Sequence, residues 1–563
     1  MWSHTLKWLA AVFLIISCGE PGSRNETPPS GGTVIIALSS DPDALNPLIG
    51  VSSNTGLVLQ FLFPELAGHD FDTTRGLDRL TPSLASSWEW KNEGRSLVYH
   101  LRAGALWSDG HPITSRDIKF SYELIANPKT ASPRRHYLNA LIRNASGQLD
   151  FDRAIETPDD STIQFNFSAA YQPEQQLLHT QINFVPEHVF RTVKPDEIQT
   201  SKYNIQPVTG KHFKLSKWER KQEIVLEKNP MWDIPHAGYI DRIVFRIIPD
   251  MNTRIVELKT GAVDMVEGLS PEDAANIQKN NSHIRIESQS FRRFEYAGWS
   301  HIDVEAFKKS GRKNLRPHFI FGSRKVRTAL TLAIRRDELI ESQLGKFGQA
   351  STGPISPAFK WAYNDSVITL NYDPGTALSM LAGEGWKDHD GDGVLDKDGK
   401  KLEFTMTTNS GNPRREFALQ KIVSDLKKIG ILVRPQLVEN NVFNAGLKNK
   451  EYEAFITGHN VNLSIDLQPQ YGSDLEKNIF NAASYQNRLV DSLISLAASK
   501  SSALDAGVIF KMLHRIIYED QPVTYLYWYD NIVGINQRIK GTHVNILSPY
   551  DRYYDWYISE PNK

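Results

Sequence analysis

From Thr33 the chain becomes apolar and β-branched in the run TVIIALSS, and DPDALNP follows, whose prolines and Asp/Asn residues end a strand and open a loop. Leu97, Tyr99 and Leu101 recur at every second position and, with Trp88 on the other side of Asn92-Glu93-Gly94, predict one face of a hairpin. Trp107-Ser108-Asp109-Gly110 reads as a turn leading into a capped helix. Strand-like runs at residues 224–227 and 243–248 precede an amphipathic stretch over 253–260. Strands alternating with helices over most of the chain, without a repeat of fixed period, predict an α/β architecture.

The first residues follow a different pattern. Lys7 precedes an apolar run over 8–16, far shorter than the roughly 20 residues that span a bilayer as a helix, so the segment reads as a secretory signal peptide. It closes with Ile15-Ile16-Ser17-Cys18, which resembles the lipobox of bacterial lipoproteins; that resemblance implies lipidation of Cys18, the single cysteine of the chain. With one cysteine, no intramolecular disulfide can form. Residues 19–32, GEPGSRNETPPSGG, are too polar and too rich in Gly and Pro to bury a core, and read as a flexible tether.

Composition narrows the function. At 563 residues the chain has room for two to four domains. Its 64 Lys+Arg and 65 Asp+Glu nearly cancel, which argues against a nucleic-acid partner and against electrostatic attachment to a membrane. The 12 Trp, 20 Tyr and 25 Phe fill cores for the most part, and the remainder suit a concave binding surface. There is no H-E-x-x-H, G-x-S-x-G or G-x-x-x-x-G-K-[ST] motif, and Thr209-Gly210-Lys211 lacks the leading glycine of a P-loop. The expectation is a protein that is not an enzyme and needs no cofactor.

Residues 82–124, PSLASSWEWKNEGRSLVYHLRAGALWSDGHPITSRDIKFSYEL, resemble the family 5 extracellular solute-binding proteins, the oligopeptide-, dipeptide- and nickel-binding group. The likeness continues through 207–232 and through 241–265, which ends in an L-x-x-G-x-x-D turn from Leu258 to Asp264, and it resumes at 323–340, 375–386, 426–431 and 481–497. It implies an α/β, type-II periplasmic-binding-protein fold with two lobes around a hinged cleft plus an extra domain. The expected division is a lipoprotein signal peptide over 1–18, a tether over 19–32, a discontinuous lobe I from 33–82, 200–292 and 525–563, a second domain over 83–199, and lobe II over 293–524. The implied role is capture of oligo- or dipeptides and delivery to an ABC permease and ATPase complex. The protein would be an exported monomer, held by its lipid anchor outside the cytoplasmic membrane or in the cell envelope. A sugar, an opine-like compound or a chelated metal is the alternative cargo. A signalling or adhesion lipoprotein and a surface hydrolase are the alternative roles.

The same resemblance supplies candidate ligand contacts. Peptide-binding members hold an extended peptide by main-chain hydrogen bonds and meet its ammonium with a carboxylate. The corresponding stretch is HNVNLSIDLQPQYGSD, residues 459–474, which makes Asp466 the candidate. The family's aspartate stands four residues before a proline with a tryptophan nearby, whereas Asp466 is three before Pro469 and the stretch holds no tryptophan. The loop Gly50-Val51-Ser52-Ser53 is the second candidate segment, with Val51 and Ser53 toward the ligand. No metal is expected as a resident group. The one metal-like pattern sets Asp388, Asp390, Asp392 and Asp396 at the spacing of a calcium loop, but position 12 falls on Gly399 in place of the bidentate glutamate, which favours a plain turn.

Overall fold

The computed structural model describes residues 27–170, 180–463, 465–500 and 502–559. Cys18, the apolar run over 8–16 and the first part of the tether lie outside the described residues. The last tether residues are already attached to the body: Gly31 donates its N–H to the Tyr239 carbonyl at 2.7 Å and Gly32 donates to Asp241 Oδ2 at 3.2 Å.

Two unusually long strands, Ile284–Trp299 and Val523–Asn536, pair antiparallel from Ile284 opposite Asn536 to Gly298 opposite Val523. They form the middle of one large sheet. Beyond Val523–Asn536 lie, in order, Met265–Leu269, Thr33–Leu38, Arg242–Ile247, Glu223–Lys228 and Phe213–Glu219. Beyond Ile284–Trp299 lie Ala454–Asn460, Glu403–Asn409 and Leu432–Val438.

The outer strands do not share the whole length of the central pair. Ala454–Asn460 pairs with residues 293–299, and Gly348–Ala350 pairs with 527–529, whereas Met265–Leu269 pairs with 532–535. The sheet is therefore two half-sheets joined by the two long strands. On Val523–Asn536 the change of partners comes at Asp530.

Local chemistry explains the elements on each side. Thr33–Leu38 runs parallel to Arg242–Ile247, and the helix Met251–Thr260 connects the latter to Met265–Leu269, giving a βαβ unit whose strands TVIIAL and RIVFRI are apolar because both faces are covered. That helix ends where Gly261 takes a left-handed conformation (φ 76°), the turn of the L-x-x-G-x-x-D pattern. A separate antiparallel sheet, Ala85–Lys91, Ser96–Leu101, Thr162–Asn166 and Ile155–Asp159, contains the predicted hairpin, with Trp88 opposite Tyr99. Its neighbouring helix, Ser115–Ala126, begins in a capping box made by Thr114 and Asp117.

Apolar packing follows the division of the sheet. One cluster joins the four-stranded sheet, through Leu97, Tyr99 and Phe165, to Val34 and Phe245 of the first half-sheet. Trp299, Phe404 and Ile422 belong to a cluster on the other half, and Phe294, Tyr525 and Leu513 to a further one. Each large side chain removed from water this way contributes about 1.5–3 kcal/mol. Each half-sheet thus has its own core. A hairpin, Ala67–Asp72 with Leu77–Pro82, reaches across, and Phe71 meets Phe359 edge-on at 6.2 Å. Among the described residues no helix is long and apolar enough to cross a membrane.

Candidate functional site

Both long strands are polar where they pass from one half-sheet to the other. In the first, Ser288-Gln289-Ser290 and Arg292-Arg293 flank Phe291, whose φ of 60° breaks the ladder between Gln289 and Arg293. In the second, Asp530-Asn531 interrupts the apolar run. Asp530 accepts the hydroxyls of Ser288 and Ser290, each at 2.8 Å, and burial pushes its carboxyl above the ordinary range. A strand enclosed in a core would not carry this composition. The crossing forms the floor of an open space.

That space is a cleft of about 650 Å³, well within the range of small-ligand sites. Ser53, Asn54 and Gln60 line it from the helix Ser53–Leu62, Arg254 and Glu267 from the βαβ unit, and Asn460 from the other half-sheet. Gln289, Arg292, Arg293 and Asn531 contribute from the crossing. Glu267 accepts a hydrogen bond from Asn531 Nδ2 at 2.7 Å, and Arg292 Nη1 donates to the Ile546 carbonyl at 2.8 Å. Burial shifts both Arg254 and Arg292 below the usual guanidinium range.

A smaller cavity of about 50 Å³ lies beside the cleft and shares Asn460 with it. Asp466 and His459 are set there among Phe294, Ile355, Phe359 and Ile465. Asp466 accepts the Gln468 N–H at 3.0 Å, and desolvation against the apolar wall pushes its carboxyl up. His459 is held neutral by burial, and its Nε2 is buried without a hydrogen-bond partner. Two polar groups with unused capacity therefore face one small space.

The loop of Val51 and Ser53 divides between structure and cleft. The Asp43 carboxylate accepts the N–H groups of Val51 at 2.9 Å and Ser52 at 3.1 Å together with the Thr55 hydroxyl; although burial opposes ionisation, these donors hold the acid well below the ordinary carboxylate range. The Val51 N–H is thereby committed within the loop, and its side chain stands 68% exposed. Ser53 lines the cleft.

The aspartates of the calcium-like loop have local partners. Asp388 accepts the N–H groups of Gly391 and Gly393, and Asp396 accepts from His389. Lys401 Nζ lies 2.6 Å from Asp390 and 2.9 Å from Asp392, so an ammonium already occupies the place of a cation. A second set of ligand-type groups, Asp109, His111 and His188, converges on the four-stranded-sheet side, with His188 Nε2 at 2.7 Å from Asp109.

Sequence reading missed Arg254, Glu267, Arg292, Arg293 and Asn531. The polar pair Asp530-Asn531 inside the apolar run of the second long strand is a signal that could have found Asn531; the first long strand is polar over much of its length, and nothing local marks Arg292, Arg293, Arg254 or Glu267.

The family model described as bacterial extracellular solute-binding proteins, family 5 Middle, matches residues 79–478. The chain is similar to the oligopeptide-binding protein AppA of Bacillus subtilis, at 26% identity over 542 residues, covering 94% of this chain and 93% of the relative. The structure of that oligopeptide-binding protein in complex with a nonapeptide superposes with a TM-score of 0.73 at 25% identity, covering 95% of this chain and 100% of the other. NikA from Brucella suis in complex with Fe(III)-EDTA shares the fold at a TM-score of 0.78 and 16% identity, covering 94% and 100% of the two chains. The architecture is the type-II periplasmic-binding-protein fold, two lobes around a cleft with an additional domain.

Proposed function

The chain belongs to the bacterial extracellular solute-binding proteins, family 5, and from that premise we propose that it is the substrate-binding component of an ABC importer that captures peptides. The observation that carries this reading is the cleft of about 650 Å³ floored by the two strands that, among the described residues, run through both half-sheets. A connection of two strands bends more readily than a core, so the lobes can close on a solute and present a form the transporter distinguishes from the empty one. Amide side chains such as Gln60, Asn460 and Asn531 suit a peptide main chain, and Asp466 suits its ammonium.

The further parts of the reading rest on sequence. We assign lobe I to 33–82, 200–292 and, from the change of strand partners, the residues from Asp530 onward, the extra domain to 83–199, and lobe II to the segment between the crossings. Cys18 is the proposed lipidation site, with a monomeric, non-catalytic body outside the cytoplasmic membrane.

Native mass spectrometry of protein produced without residues 1–18, followed by denaturation and identification of what co-purified, tests the proposal. Short peptides of related length are the expected result. One non-peptide compound would keep the transporter role and replace the cargo. A relative named heme-binding protein A, from Haemophilus influenzae, and the Fe(III)-EDTA complex make a chelated metal the alternative to look for.

A further inference from the structure

We propose that the cleft selects cargo carrying carboxylate groups, which Arg254 and Arg293 bind; the inference rests on the peptide-binding reading above and narrows its substrate class. Three arginines line the cleft, Arg254, Arg292 and Arg293, against one carboxylate, Glu267. The formal net charge of the whole chain is −1, so this surplus of positive charge is local and is not a reflection of composition.

The arginines differ in what they hold. Arg292 is committed to the Ile546 carbonyl, and Glu267 to Asn531. Among the described residues, no side-chain hydrogen bond and no ion pair within 4 Å engages the guanidinium of Arg254 or Arg293. Asp250 and Glu267 act on Arg254 only through space, and its Nε is buried without a partner. Arg293 is half-buried on the crossing strand, with Asn460 as its backbone neighbour on one side and Tyr529 on the other.

A guanidinium taken partly out of water and left without an acceptor is costly, and a carboxylate meets it with matched, bidentate geometry. Neutral amides cannot supply that charge. Asn460 lines both the small cavity of Asp466 and the arginine-lined cleft, so the two spaces are neighbours. A peptide whose ammonium lies at Asp466 would extend its acidic groups toward the arginines.

Isothermal titration of protein carrying residues 19–563 decides the matter. The probes are Ala-Glu-Ala-Glu, Ala-Gln-Ala-Gln and Ala-Lys-Ala-Lys, each with free and amidated C-termini, together with citrate. The expected result is affinity for the Glu peptide at least tenfold above that for the Lys peptide. Arg254→Gln and Arg293→Gln should each weaken the Glu peptide by roughly 10- to 100-fold, the scale of a lost charge-assisted bond, and change the Gln peptide little. Arg293→Lys should recover part of the loss, and unchanged melting curves would separate these effects from misfolding. Persistence of the preference in the amidated peptides assigns it to the side-chain carboxylates alone, and its loss on amidation shows that the arginines need a side-chain carboxylate and the C-terminal one together. Equal affinity for the Glu and Lys peptides, or variants that bind the Glu peptide as the wild type does, would overturn the inference and leave the peptide reading standing. Citrate binding that the arginine variants lose, with no peptide bound, would keep the anion site and remove the peptide reading. Silence from every probe would overturn both.

Discussion

Asp264 and Arg538 form a two-pronged ion pair, with Nε at 2.7 Å and Nη2 at 2.6 Å from the two carboxylate oxygens. Asp264 also accepts the Ile35 N–H at 2.9 Å, and Arg538 Nη2 donates to the Thr33 carbonyl at 3.0 Å. The aspartate that ends the L-x-x-G-x-x-D pattern thus ties the first strand of lobe I to the chain leaving the second long strand. Asp264 is 1% exposed and Arg538 26%.

Because the carboxylate is buried, removing its charge strands a guanidinium and a backbone donor. Asp264→Asn should lower the unfolding free energy by about 3 kcal/mol, toward the low end for breaking a buried pair because Arg538 keeps some water. Urea denaturation checks this through a lower midpoint at unchanged slope. A midpoint within error of wild type would mean the pair is not a structural tie.

Gly76, like Phe71, sets the bridging hairpin against residues 358–360. Its φ is +70°, and a Cβ there would stand 2.1 Å from the Ala358 carbonyl oxygen and 2.5 Å from the Lys360 nitrogen. Gly76→Val combines left-handed strain with overpacking, at a cost of about 2–4 kcal/mol, so the hairpin should detach from Phe359. Hydrogen exchange over residues 67–82 is expected to accelerate while exchange in the half-sheets stays as it is. Unaltered exchange in the hairpin would contradict the packing described.

Two buried histidines set an acid limit on stability. Desolvation lowers His514 to about 4, against a hydrogen bond to the Thr352 carbonyl that works the other way. Desolvation, aided by the Lys211 charge, lowers His212 to about 3. Above the ordinary histidine pKa of about 6.5, folded and unfolded chains are both neutral at these positions and neither group affects stability. Below it the unfolded chain takes up protons that the fold rejects, so stability falls as pH drops from about 6.5 toward 4 for His514 and toward 3 for His212. By pH 5 each histidine should have removed about 2 kcal/mol, and His514→Gln should remove its share of the slope. Urea midpoints at pH 7 and pH 5 measure it, and a pH-independent midpoint would be inconsistent with neutral buried imidazoles.

Lys401 occupies the centre of the acidic loop. Its hydrogen bonds to Asp390 and then to Asp392 raise its ammonium above the usual lysine range, so calcium would have to displace a firmly charged group. Calorimetry on metal-stripped protein should show no calcium heat at millimolar concentration. Lys401→Met, which leaves Asp390, Asp392 and Asp396 without that cation, should acquire weak, millimolar calcium binding. Micromolar binding by the wild type would show that the ammonium gives way.

Much of the fold could be read from local pattern, because the cause of each element is local. Alternation at Leu97, Tyr99 and Leu101 made the hairpin, Thr114 with Asp117 capped the helix behind it, and the apolar runs at 33–38 and 242–247 became the covered parallel strands. The resemblance carried by 82–124 and the later blocks located the family, since those residues build the scaffold. The cleft was less legible. Asp466 lines the small cavity and Ser53 the cleft, while Val51 is 68% exposed, and the exposure of a loop side chain depends on what packs beside it. Arg254 on a helix looks like any solvated arginine in sequence. It becomes a cleft residue only because Arg293, Asn460 and Ser548 arrive beside it from distant parts of the chain. Sequence by itself determined the strands, the helices and their family, through backbone preference and periodic burial. Which side chains face one another across the cleft was decided by the crossing of two long strands, a relation between residues hundreds of positions apart that no local pattern encodes.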